Sequence, residues 1–265
     1  QKNDDNALEM YTLQCRNHIL KPLAEKYGID TSDEAIRAAV EQHNEVCRLI
    51  RAIGDFRKEA NPRVTGYEFH ILTLVSYVAP KHLIVDKLRE TLEEIKTREP
   101  DAADKYRARV VFVGSEVDDV DVIRLVEESG AYVCADRFCY GSLPGRDEIL
   151  LNDDEDVVKQ VCRQVQGRAQ CPRYWDMAKM TGRRDYVADL AKEYGADGII
   201  YEQMKFCDPW AYERMIGTIV LRDEHGYPVL AVDRPYSIGS SGQMRTRVQA
   251  FVESIEIKKI QGGKK

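Results

Sequence analysis

No apolar run in the chain approaches the roughly 18 residues that a bilayer span requires, and no signal-peptide pattern opens it. Basic tracts are also missing: formal net charge is −6, which argues against nucleic acid as a main partner. Neither a Gly-x-Gly-x-x-Gly fingerprint nor a Walker A loop occurs, and no Gly-x-Ser-x-Gly elbow marks a hydrolase. The five histidines are scattered, with His18, His43, His70 and His82 in the first hundred residues and His225 in a turn. Zinc knuckles need cysteine pairs two to four residues apart. Cys134 and Cys139, or Cys162 and Cys171, do not provide that spacing.

What remains is a 265-residue chain with 43% apolar content, enough for one large core or two modest ones. Seven cysteines, odd in number and irregularly spaced, fit a reducing compartment, and the expected location is the cytoplasm. The chain starts at Gln1, so a preceding portion is an open expectation.

Residues 1–100 read as helical. Ala35, Ile36, Ala39, Val40, Val46, Leu49, Ile50 and Ile53 recur at helical spacing behind the capping run Thr31 to Glu34. Further helices are expected over 66–77 and 80–96, with a charged linker at 93–104. From Arg109 the pattern alternates strand and helix: strand 110–113, helix 120–128, strand 131–135, helix 183–194, strand 198–201, helix 209–223, strand 228–232, helix 243–255. Repeated β-then-α units imply a parallel sheet with helices on both faces, expected over 105–260.

In such a sheet the loops at the carboxyl ends of the strands share one edge, where ligands bind. Cys207 lies in one of them. It follows the buried strand Gly198 to Tyr201, and Asp208-Pro209 signals a helix start directly after it, with Asp208 as N-cap. Helix N-terminal amides stabilise a thiolate there, suited to a soft metal; the alternative is a buried, inert cysteine. Cys139 occupies another such loop and is a lesser ligand candidate. Cys134 reads as core, Cys15, Cys47 and Cys162 as helix residues, and Cys171 as a loop residue before Pro172. Arg234, Tyr236, Ser240, Ser241 and Gly242 lie where a small polar loop meets a helix, and are candidates for binding an anion or substrate.

Three segments resemble a known family: Lys205-Phe206-Cys207-Asp208, the stretch Gly242 to Phe251, and Asp136 to Gly141. They are similar to the C-terminal portion of 2-hydroxyacyl-CoA dehydratase (2-hydroxyglutaryl-CoA dehydratase D-component) and benzoyl-CoA reductase subunits, over roughly residues 62–255. The resemblance implies flavodoxin-like α/β domains with helical additions and a [4Fe-4S] cluster ligated by cysteines of two domains, Cys207 matching the C-terminal one. It implies a homologous second subunit in a heterodimer, an ATP-hydrolysing iron–sulfur activator and an acyl-CoA substrate. The implied reaction is low-potential, anaerobic dehydration of a 2-hydroxyacyl-CoA through a ketyl radical anion, or ring reduction in the reductase branch. Members are longer, and no segment here reproduces their N-terminal α/β domain with its cluster cysteines, so activity of this portion alone is not expected. A non-catalytic α/β scaffold or binding subunit is the alternative of another class.

Overall fold

The computed structural model describes residues 4–100, 105–142, 147–168, 171–174, 177–237 and 241–262. The first hundred residues are helical. Helix α1 (Asp5–Cys15) passes through a π-helical turn into α2 (Lys21–Tyr27), and α3 (Asp33–Asp55), α4 (Gly66–Val78) and α5 (Lys81–Thr97) follow. Ser32 caps α3 through its hydroxyl, and Thr65 with Glu68 forms a full capping box on α4. Because α5 runs to Thr97, the linker begins later than the charge pattern suggests.

The remainder is α/β: β1 (Ala108–Val113), α6 (Val120–Glu128), β2 (Ala131–Arg137), α7 (Val157–Arg168), α8 (Met177–Glu193), β3 (Gly198–Met204), α9 (Asp208–Asp223), β4 (Val229–Arg234) and α10 (Ser241–Gly262). All pairings are parallel, in the order β2-β1-β3-β4, a doubly wound arrangement. Side chains alternate across the sheet as a strand period of two requires. Val110, Phe112, Ile200 and Val232 meet α6 and α10 on one face, whereas Val111, Val113, Ile199 and Tyr201 meet α8 and α9 on the other.

Differences from the sequence reading lie in the helices and at the end of one strand. Helix α8 starts six residues before the expected Arg183, and α10 extends past both expected ends. Helix α7 is expected only at Cys162, read as a helix residue, without bounds; its valines are weak helix formers, and Val158 and Cys162 bury against Leu8 of α1. Strand β3 runs three residues beyond Tyr201, so its last residues carry the loop that bears Cys207.

Buried charges fasten the helical part to the sheet. Arg57 pairs with Asp136 at 2.9 Å while its guanidinium lies 3.6 Å from the centre of the Phe69 ring. The Glu127 carboxylate accepts the Gly66 and Tyr67 amides at the N-terminus of α4 at 2.8 and 3.1 Å, a favourable placement for a negative charge.

His70 of α4 is 3% exposed and meets Phe138 edge-on at 5.1 Å. Burial, reinforced by Arg57 and opposed by Asp136 and Asp118, pushes its pKa from 6.5 down to about 4. A folded value below the unfolded one means the stabilisation is full above pH 6.5 and is lost as pH falls towards 4. The amount is about 3 kcal/mol. Urea unfolding of the wild type and His70→Leu from pH 8 to 4 should therefore show a steeper acid loss in the wild type; parallel profiles would contradict this.

Candidate functional site at the carboxyl edge of the sheet

The four βα loops do meet, and Ser115 is where they join. Its amide and hydroxyl donate to Glu202 of β3 at 3.0 and 2.8 Å, and its hydroxyl accepts the Met204 amide at 2.6 Å. Its carbonyl accepts the Cys139 amide at 2.9 Å, bringing in the loop after β2. Arg234, at the end of β4, pairs with Glu202 at 2.9 Å and donates to the carbonyls of Glu116, Pro235 and Tyr236. The Lys205 amide donates to the Arg234 carbonyl at 2.8 Å. Burial pushes the Glu202 carboxyl up, with Arg234 and Ser115 working against it. Gly114 is required beside it, since a Cβ there would come within 2.5 Å of the Glu202 carboxylate.

This network fills the crevice between β1 and β3, whose following helices depart to opposite faces. In doubly wound sheets that crevice is the usual ligand position; here Glu202 occupies it with no exposed surface. Arg234, a sequence candidate for orienting substrate, is 5% exposed and committed to protein partners, so it ties loops together instead. Tyr236 is exposed and donates its hydroxyl to Asp118 at 2.7 Å. Ser240 lies outside the described residues, as does the Ser241 side chain; Gly242 is exposed in the first turn of α10.

Cys207 is half-buried and is itself the N-cap of α9; Asp208, the expected cap, is the first helical residue. The thiolate expected from helix amides is not favoured without a metal. Burial raises the Cys207 thiol more than the Trp210 amide lowers it. Burial also pushes Cys139 up to about 11, against the pull of the Trp210 indole. Cys171 and Cys207 lie within electrostatic reach of Cys139, and Cys171 within reach of Cys207; an ionised neighbour raises the Cys139 and Cys207 thiols further. Cys171 was missed as a neighbour because its segment gives no periodic signal. Among the described residues no group of three or more His, Cys, Asp or Glu side chains is arranged to hold a metal ion. Cys207, half-buried at this edge, is placed to contribute one thiolate to a cluster, but the described residues do not form a whole metal site.

Apolar surface surrounds this edge. Phe206 is 97% exposed, and a groove of about 540 Å³ runs past Pro172, Pro209, Tyr212 and Ile216. Tyr140 is also exposed and meets Tyr77 edge-on at 6.0 Å. Trp210 is 2% exposed; it fills the core under α9, packed on Tyr201 and beneath Arg137.

A profile of the family described as 2-hydroxyglutaryl-CoA dehydratase, D-component, matches residues 1–255. The chain belongs to that family. The match takes in the N-terminal helices as well, beyond the 62–255 stretch that the resemblance covers. The chain is 26% identical over 230 residues to the (R)-phenyllactyl-CoA dehydratase beta subunit of Clostridium sporogenes, covering 86% of this chain and 59% of that protein. It is 24% identical over 260 residues to the beta subunit of (R)-2-hydroxyglutaryl-CoA dehydratase of Acidaminococcus fermentans, covering 96% and 66%. Over 259 residues it is 23% identical to a benzoyl-CoA reductase subunit of Thauera aromatica, covering 96% and 65%. The matches thus leave more than a third of each of these relatives outside them. Among the described residues no helix is long and apolar enough to cross a membrane.

Two variants test the edge. Phe206 holds φ 72°, a left-handed conformation that costs a side-chain-bearing residue about 1–2 kcal/mol. Glycine removes that cost but adds about 0.5–1 kcal/mol of chain entropy to lose, so Phe206→Gly should be neutral to stabilising in urea. A clear loss of stability would show that the phenyl ring is held in the fold. Glu202→Ala strands the Arg234 guanidinium and should cost about 3–5 kcal/mol; a change below about 1 kcal/mol would show that the network is dispensable.

Proposed function

We propose that this chain is the portion of a 2-hydroxyacyl-CoA dehydratase subunit that carries one cysteine ligand of an iron–sulfur cluster. The observation that carries the reading is the position of Cys207: at the end of β3, capping α9, half-buried, beside the exposed Phe206 and apolar groove. Cluster ligation by thiolate is established chemistry for such sites. The remaining ligands come from the region that the relatives carry beyond the match, and an activator supplies the electron.

The tasks of this chain follow from its own residues. Ser115, Glu202 and Arg234 anchor the start of the loop that presents Cys207. Trp210 and Tyr201 fill the space behind the sulfur and keep water from that side. Phe206 and the groove present an apolar face for the covering region, which excludes water from the other side. The chemistry that the cluster supplies when bound is one-electron transfer at low potential, on an acyl-CoA thioester held nearby. The similarity to a benzoyl-CoA reductase protein keeps ring reduction as the second reading.

Iron content and acyl-CoA turnover, measured anaerobically in the polypeptide that includes the remaining region, test the proposal. Cys207→Ala should lose most of its iron and, on the order of 100-fold or more, its turnover, with unfolding otherwise little changed. Cys162→Ala, buried between α1 and α7, should retain both. Undiminished iron and turnover in the Cys207 variant would favour a scaffold role.

A further inference from the structure

A second concavity lies on the opposite face of the sheet from Cys207. It is a cavity of about 280 Å³ between α6, the end of β4 and the first turns of α10. Val122 and Leu125 of α6 and Met244 of α10 provide its apolar wall. Lys205 and Arg247 provide cations, and Asp233 a carboxylate. The Arg234 guanidinium also lines it, but its charge is matched by Glu202.

The two unmatched cations differ in their restraint. Arg247 gives one N–H to the Ala231 carbonyl at 2.7 Å, which holds the guanidinium against β4 while leaving its other donors for a ligand. The Lys205 ammonium has no ion pair or side-chain hydrogen bond among the described residues. Neighbouring Arg245 does not compete for this role, because it pairs with Glu128 at 2.8 Å.

We infer that this cavity binds a phosphorylated adenosine, the nucleotide end of the acyl-CoA; the inference rests on the acyl-CoA reading above and assigns its binding subsite. A cavity lined both by apolar side chains and by two cations suits a purine carrying phosphate groups. The wall removes the flat ring from water, and the cations meet the phosphate oxygens through charge-assisted hydrogen bonds. Asp233 accepts from a ribose hydroxyl or the exocyclic amine. The cavity holds one nucleoside phosphate and not a whole CoA, so the acyl arm must leave it. The loop Lys205-Phe206-Cys207 crosses the sheet edge from this cavity to the α9 face, and gives that arm its direction.

Calorimetric titration of the 265-residue chain tests the assignment without any cluster or turnover. The probes are 3′-phosphoadenosine 5′-phosphate, 5′-AMP and inorganic phosphate. The first should bind roughly 10-fold or more tightly than the other two, and more weakly as salt is raised. Lys205→Ala and Arg247→Ala should each weaken it about 10-fold, whereas Arg245→Ala should leave it unchanged. Lys205 is exposed, so its variant tests the site even if Arg247→Ala fails to fold. No binding, equal binding by the Lys205 variant, or equal affinity for inorganic phosphate would overturn the subsite. Binding by a protein that proves to have no acyl-CoA turnover would support the subsite and overturn only the preceding reading; turnover without binding would do the reverse.

Discussion

Glu202 holds the Ser115 amide and hydroxyl and the Arg234 guanidinium at the point where β1, β3 and β4 all end, and the positions of the surrounding loops follow from that one carboxylate. Through Ser115 it fixes Met204 and Cys139; through Arg234 it fixes the loops after β1 and β4. A buried pair of this kind adds little net stability compared with apolar packing, but removing one member leaves an uncompensated charge. Its value here is positional. With the crevice between β1 and β3 closed, the available surfaces are displaced to the two flanks. The thiols and the apolar groove lie on the α9 side, and the cationic cavity lies on the α10 side.

The α/β portion was legible because its signals are local and strong. Short apolar runs ending in polar loops gave all four strands, and α6 begins and ends where its residues indicate. The start of a helix beside Cys207 was readable from Asp208-Pro209, with an error of one position in the cap. Three features had little or no local signal. Helix α7 depends on burial against α1, a contact between residues about 150 apart in sequence. The approach of Cys171 to Cys139 and Cys207 depends on how two loops fold back on one edge. Arg234 looked like a ligand residue because arginine at a sheet edge serves ligands and buried acids equally well, and only the structure shows that Glu202 takes it.

The thiols carry a further lesson in electrostatics. A helix N-terminus favours a thiolate, yet the Cys207 thiol shifts upward because desolvation outweighs the Trp210 amide, and the Cys139 thiol shifts upward as well. Without a cation such sulfurs remain protonated, and a metal must displace the proton to bind. On the reading proposed above, in which other residues complete the ligand set, the edge is held in place before its charge partner is bound. The left-handed Phe206, fully exposed beside it, is consistent with a surface shaped for that contact.

On the proposed reading, the Cys207 sulfur bonds iron in the protein that also carries the remaining ligands. Anomalous diffraction at the iron edge, on crystals of that protein prepared without oxygen, tests it directly. The expected result is iron bonded to Cys207 Sγ at the carboxyl edge of β3, with Phe206 covered by the region that supplies the other ligands. Iron held entirely by other residues, with the Cys207 thiol turned into the core beside Trp210, would contradict it.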